Sequence, residues 1–131
     1  MKKVLIVIAD YYPQISKKLL ASSLKDLIKS YNVKVIRVPG IFEIPVVISR
    51  NIKKYDAFVA LGCVIKGQTP HFDLICSSVM FGLMEIGIKF KKPVGNGILT
   101  CYNKKQAVAR ISKGSEASQA IIQVLKNVPI K

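Results

Sequence analysis

The chain has one histidine, and it closes the run Gly62-Cys63-Val64-Ile65-Lys66-Gly67-Gln68-Thr69-Pro70-His71. Imidazole is the side chain whose unperturbed pKa, about 6.5, lets it take up and return a proton near neutrality. Just before it, Gly67 admits a close approach of backbone to an anion, Thr69 adds a hydroxyl donor and Pro70 stiffens the turn. A buried apolar run precedes the segment and a long helical pattern follows it. The free N–H groups at that helix start are therefore available to a phosphate. The reading is a loop over residues 62–71 in which Gln68 and Thr69 hold a phosphate while His71 moves protons. Position alone is equally compatible with a histidine that caps its helix or packs on Phe72.

A second segment with chemistry to offer is Val38-Pro39-Gly40-Ile41-Phe42-Glu43. Gly40 and Ile41 can present backbone groups to a planar ligand, and Glu43 can accept hydrogen bonds from ligand hydroxyls. The plainer alternative is a Pro-Gly turn followed by an acidic residue that favours a helix dipole. Tyr11 follows the first apolar run and can stack on an aromatic ligand, or be an ordinary half-buried tyrosine. Arg110 ends a helical stretch and can clamp a phosphate with its planar fork, or pair with the carbonyls of its own helix.

Alternating strands and helices must position these residues. Val4–Ala9, Val33–Val38, Ala57–Leu61 and Val94–Thr100 are short Val- and Ile-rich segments that read as strands. Between them, Ile15, Leu19, Leu20, Leu24, Leu27 and Ile28 form one helical stripe. Glu43–Asn51 reads as a short helix with Pro45 in its first turn, and Asp73–Lys89 as a long one with Ile75, Val79, Gly82 and Ile86 on one face. Two more helices close the chain, near 103–111 and 114–128. This order predicts one α/β domain over residues 1–131, a four-stranded parallel sheet covered on both faces. Ligands of such sheets sit beyond the carboxyl ends of the strands, which selects the loops at Asp10–Gln14, Val38–Glu43, Gly62–His71 and Thr100–Asn103.

Composition narrows the partners. With 131 residues, half of them hydrophobic, the chain can bury one core. Cys63, Cys76 and Cys101 form no CxxC and, with a single histidine, give no zinc framework; three unpaired cysteines suit a reducing, cytoplasmic location. The first apolar run, Val4–Ala9, is too short to span a bilayer, so no membrane partner is expected. The net charge of +14 would attract polyanions. The lysines, however, fall in scattered pairs with no interleaved aromatic stripe, the pattern of solvated helix faces. No nucleic-acid partner is expected.

Three stretches, taken together, resemble the lumazine synthase family of riboflavin biosynthesis: Val38–Pro45, Ala60–Asp73 and Gly97-Ile98-Leu99-Thr100. The resemblance covers nearly the whole chain in order and spacing. It implies a flavodoxin-like three-layer α/β/α sandwich and a reaction that needs neither metal nor organic cofactor. In that reaction 5-amino-6-(D-ribitylamino)uracil condenses with 3,4-dihydroxy-2-butanone 4-phosphate. Carried over by motif, Tyr11 stacks on the pyrimidine, Ile41, Phe42 and Glu43 line its pocket, and Cys63, Val64 and Ile65 hold its edge. Gln68, Thr69 and Arg110 bind the phosphate, and His71 is the acid–base residue. Asn96 occupies the position of a residue, often aromatic or apolar, that contacts the ribitylaminouracil from a neighbouring subunit. Lys113 and Glu116 match a lysine and an acidic partner of the clamp, although the connection from Arg110 is shorter than usual. Asp10 and Tyr12 stand where arginine and asparagine are frequent. The resemblance further implies a homo-oligomer, a pentamer or a sixty-subunit shell, with active sites shared between subunits.

Overall fold

The computed structural model describes residues 1–127, 129 and 130. Four strands form one all-parallel sheet in the order β2-β1-β3-β4: β1 Lys3–Ala9, β2 Asn32–Val38, β3 Ala57–Ile65 and β4 Val94–Cys101. The central strands carry apolar residues on both sides because helices cover both faces. Six successive residues of β1, Val4–Ala9, are buried. At the β2 edge, burial is sparse.

Helix α1 (Pro13–Leu24) and helix α5 (Lys113–Lys126) pack together on one face, with Ile15, Leu19, Ile121 and Ile122 against Val4, Ile6, Ile8, Val59 and Leu61. The short helix α4 (Lys104–Ala109) adds Ala107 to the same core. Helices α2 (Ile44–Arg50) and α3 (His71–Phe90) cover the opposite face, with Ile44, Ile48, Val79 and Leu83 against Leu5, Val7, Phe58, Ala60 and Ile98. The result is the expected three-layer α/β/α sandwich of flavodoxin-like type. Where α1 and α5 meet, the buried Ser23 and Ser118 hydroxyls bond at 2.7 Å, and Ser118 also donates to the Ser23 carbonyl at 2.8 Å. Two buried hydroxyls thus satisfy each other inside the core.

The element boundaries differ from the sequence reading in informative places. The stripe assigned to one helix as far as Ile28 ends as α-helix at Leu24. The chain continues there in overlapping turns: the Leu24 carbonyl accepts from the N–H groups of Leu27 and Ile28, and the Leu27 carbonyl from those of Ser30 and Tyr31, with Leu27 buried and Ile28 exposed. The helix expected over Glu43–Asn51 is a 3-10 turn, Ile41–Glu43, running into α2. Helix α3 extends beyond the expected Asp73–Lys89 at both ends, and Lys91 stops it in a left-handed conformation. β2 starts one residue earlier than expected, at Asn32, and β4 ends one later, at Cys101. Of the helix expected to reach 128, the last residue lies outside the described residues, as does Lys131 of the 1–131 domain.

The largest correction concerns the loop read over 62–71. Strand β3 runs on through Gly62, Cys63, Val64 and Ile65, paired with Ile98, Leu99, Thr100 and Cys101 of β4, so the loop proper is residues 66–70. Gly62 marks a close approach rather than a turn: a side chain there would meet Ile41 Cγ2 at 2.8 Å and Ala9 Cβ at 3.1 Å. The strand continues because its glycine makes room for the turn that crosses it.

Candidate active site

The chain leaves β1 toward β2 on one side of the sheet and returns through β3 to build the other side. Its topological switch point therefore lies between the carboxyl ends of β1 and β3. Connections diverge there, and a crevice opens between them. A cleft of about 700 Å³ occupies this place, lined by Tyr11 and Tyr12 after β1, Gly40–Glu43 before α2, Cys63–Ile65 at the end of β3, and Gly67, Thr69, His71 and Phe72 around the start of α3.

Each wall has a local cause. Glu43 folds back on its own turn: its Oε1 accepts from the Gly40 N–H at 3.0 Å, while its N–H donates to the Gly40 carbonyl at 3.2 Å. This reciprocal pair satisfies two groups at the turn and leaves Oε2 for a ligand. Ile41, buried over Gly62, anchors the turn to the sheet, whereas Phe42 is exposed. On the opposite wall, the Tyr11 ring is 70% exposed and meets the half-buried Tyr12 edge to face, with centroids 4.9 Å apart and planes at 78°. Asp10 pairs with Arg37 of the neighbouring strand at 3.5 Å.

At the remaining wall, His71 is the first residue of α3 and its side chain is exposed. Its backbone N–H donates to Thr69 Oγ1 at 3.4 Å. Pro70, the N-cap of α3, has no capping side chain, so beyond the His71 N–H the first-turn N–H groups remain open to an anion. Around Gly67 nothing lies within 4 Å of where a side chain would begin, so the space over this turn is free for a ligand.

Cys63 is only 6% exposed, and burial, with Cys101 adding to it, pushes its thiol up to about 11. At neutral pH it is therefore an uncharged, weakly polar wall with little thiolate to act as a nucleophile. Burial also raises the Tyr12 phenol, with smaller contributions from Cys63 and Tyr11. Among the described residues, no group of three or more His, Cys, Asp or Glu side chains is placed to hold a metal ion.

Of the residues singled out in the sequence, Tyr11, Ile41, Phe42, Glu43, Cys63, Val64, Ile65, Thr69 and His71 come together in this cleft. Gln68 is exposed in the same turn without lining it. The others lie elsewhere. Asn96 is on the edge strand β4, where its Oδ1 accepts from the Ile98 N–H at 3.1 Å and its Nδ2 lies 3.1 Å from Met80 Sδ. There it lines a separate cavity of about 600 Å³ with Met80, Met84, Ile88 and Val124. Arg110, Lys113 and Glu116 gather at the α4–α5 junction, closed by the Lys113 N–H to Arg110 carbonyl bond at 3.0 Å, and line neither cavity. Ala9, Tyr12, Phe72 and Ile75 also line the cleft, although the sequence reading assigned them no binding role; for Tyr12 the signal was a second aromatic at the strand end.

Comparison with known proteins follows from this geometry. The family described as 6,7-dimethyl-8-ribityllumazine synthase matches residues 1–128. Curated relatives carry the same description. That of Corynebacterium kroppenstedtii is 49% identical over 106 residues, covering 73% of this chain and 67% of the relative. That of Cutibacterium acnes is 40% identical over 132 residues, covering 94% and 80%. That of Saccharopolyspora erythraea is 46% identical over 96 residues, covering 68% and 58%.

Proposed function

The chain belongs to the 6,7-dimethyl-8-ribityllumazine synthase family, and from that premise we propose that the cleft at the β1/β3 switch point is one half of its active site. Its function is the condensation of 5-amino-6-(D-ribitylamino)uracil with 3,4-dihydroxy-2-butanone 4-phosphate in riboflavin biosynthesis. The observation that carries the assignment to this cleft is the meeting of three chemistries in one space. An exposed tyrosine ring can stack on a pyrimidine, a half-free carboxylate can take ribityl hydroxyls, and an uncapped helix start beside Thr69 and His71 can take a phosphate.

The reaction asks for proton transfers and orientation. An amine of the pyrimidine attacks the ketone, and the carbinolamine loses water to give an imine. A proton then leaves the adjacent carbon as the neighbouring C–O bond breaks and phosphate departs. The resulting enol takes a proton at its terminal carbon to become a methyl ketone, and the second amine closes the ring on that ketone with loss of another water. None of these steps requires a covalent enzyme intermediate. His71, beside the phosphate turn, takes the carbon-bound proton and returns protons to departing oxygen, a contribution of about 10²–10⁴ in rate. Holding two substrates in register contributes several kcal/mol more. Thr69, Gln68 and the open N–H groups of α3 hold the phosphate. Cys63, Val64 and Ile65 hold the pyrimidine edge, largely through backbone.

The other half of the site comes from a second copy of the chain. Asn96 and the Arg110–Lys113–Glu116 junction lie outside the cleft and are free to complete a neighbour's. Helix α3 supports such an assembly. It has the length and mean hydropathy, 1.4 over eighteen residues, of a membrane-crossing helix, yet it packs on the sheet through Val79 and Leu83. Leu74, Phe81, Met84 and Ile88 remain exposed on it, more apolar surface than a monomer ordinarily leaves in water. The reading is a homopentamer, alone or as part of a sixty-subunit shell, in the cytoplasm, where Cys63, Cys76 and Cys101 stay free. Mixing both substrates with purified protein and following lumazine fluorescence tests the function; omission of either substrate must abolish the signal.

A further inference from the structure

The aromatic that faces the pyrimidine is poorly held by its own surroundings. Tyr11 lies beyond the end of β1, 70% exposed, and the one aromatic contact it makes among the described residues is with Tyr12. Tyr12 is half-buried as the residue preceding α1, and it is fixed from two sides. Pro13 begins α1 directly after it, and the Tyr12 carbonyl accepts from the Ser16 N–H at 2.9 Å. From α4, the Lys104 ammonium sits 5.8 Å from the centre of its ring. The two tyrosines also form the partition between the cleft and a second cavity of about 520 Å³, bounded by Pro13, Lys18, Lys104 and Val108. Without the Tyr12 ring the cleft and that cavity would join, and Tyr11 would have room to rotate out of stacking position.

We propose that Tyr12 is a positioning residue for the pyrimidine substrate: edge-on contact with Tyr11, backed by Lys104, holds the Tyr11 ring where it stacks on the heterocycle. The inference rests on the assignment of the cleft above. It differs from a general structural role because the effect passes through Tyr11 and touches one substrate only. An edge-to-face pair of this kind is worth about 2- to 12-fold in binding.

Calorimetric titration of the pyrimidine substrate alone, with the KM of the butanone phosphate measured separately, tests this. Tyr12→Ala and the better-filling Tyr12→Leu are expected to weaken pyrimidine binding by about 2- to 12-fold and leave the KM of the phosphate substrate unchanged. Tyr12→Phe, which keeps the ring, should restore affinity. Adding Tyr12→Ala to Tyr11→Ala should cause no further loss, since Tyr12 acts through Tyr11. Equal weakening in both backgrounds, parallel loss for both substrates, or failure of Tyr12→Phe to restore binding would overturn the proposal. Unchanged pyrimidine binding in Tyr11→Ala itself would overturn the cleft assignment beneath it, a result distinguishable from the others.

Discussion

Gly62→Ala is the change that links the fold to the site most tightly. The added methyl carbon would sit 2.8 Å from Ile41 Cγ2 and 3.1 Å from Ala9 Cβ, against an ordinary carbon–carbon separation of about 3.5–4.0 Å. Ala9 is pinned in the ladder between β1 and β2, so Ile41 must yield, by roughly 1 Å on those separations. Such overpacking costs about 1–3 kcal/mol. With urea slopes of about 1–3 kcal/mol per molar, the unfolding midpoint should fall by on the order of 1 M. Ile41 is also the first residue of the turn that carries Glu43, so the KM for the pyrimidine substrate should rise with the instability. Gly67→Ala is the matched control: its methyl meets nothing within 4 Å and its φ is not positive, so the midpoint should hold. Because assembly makes stability concentration-dependent, all variants are compared at one protein concentration. A Gly62→Ala midpoint and KM equal to those of the wild type would refute the reasoning.

Arg110→Ala should raise the KM of the butanone phosphate and spare that of the pyrimidine; the reverse pattern would remove Arg110 from the phosphate clamp. Phe81→Asp, on the exposed apolar side of α3, should shift the assembly to smaller species by mass photometry, and an unchanged mass would exclude that face from subunit contact. The raised Cys63 pKa predicts a specific alkaline limb. Between the ordinary thiol value of 9.0 and about 11, the folded chain keeps a proton that the unfolded chain releases. Its stabilisation is complete below about pH 9 and is lost as pH rises toward 11. The fall in urea midpoint over that window should be shallower in Cys63→Ala than in the wild type; equal slopes would show that the thiol contributes nothing.

Most of the architecture could be read from hydrophobic periodicity, because both faces of the sheet are covered and the central strands are continuously apolar. The errors arose where one residue serves two elements. Gly62 resembles loop punctuation in sequence, but only the crossing of Ile41 over β3 shows why a strand needs it. Leu27 continues a helical stripe, although it is buried from a run of hydrogen-bonded turns with nearly the same spacing. The cleft was legible for residues at strand ends, since strand-end position and chemistry coincide there. Tyr12 was not, because its place follows from contacts with Tyr11 and Lys104, three-dimensional neighbours on two elements. The separation of Arg110, Lys113 and Glu116 from the cleft was equally invisible, since linear order does not say on which side of the sheet a residue falls; that Asn96 would act from a neighbouring copy came from the family resemblance alone.

The most direct test of the central claim compares wild type with His71→Ala, both substrates present, following lumazine and phosphate together. The account predicts one phosphate released per lumazine in the wild type. In His71→Ala, turnover should drop by about 10²–10⁴ yet stay above the rate without protein, because substrate orientation survives the loss of the imidazole. A variant that turns over as fast as the wild type would remove His71 from the chemistry. Wild-type protein that forms no lumazine above background would contradict the account as a whole.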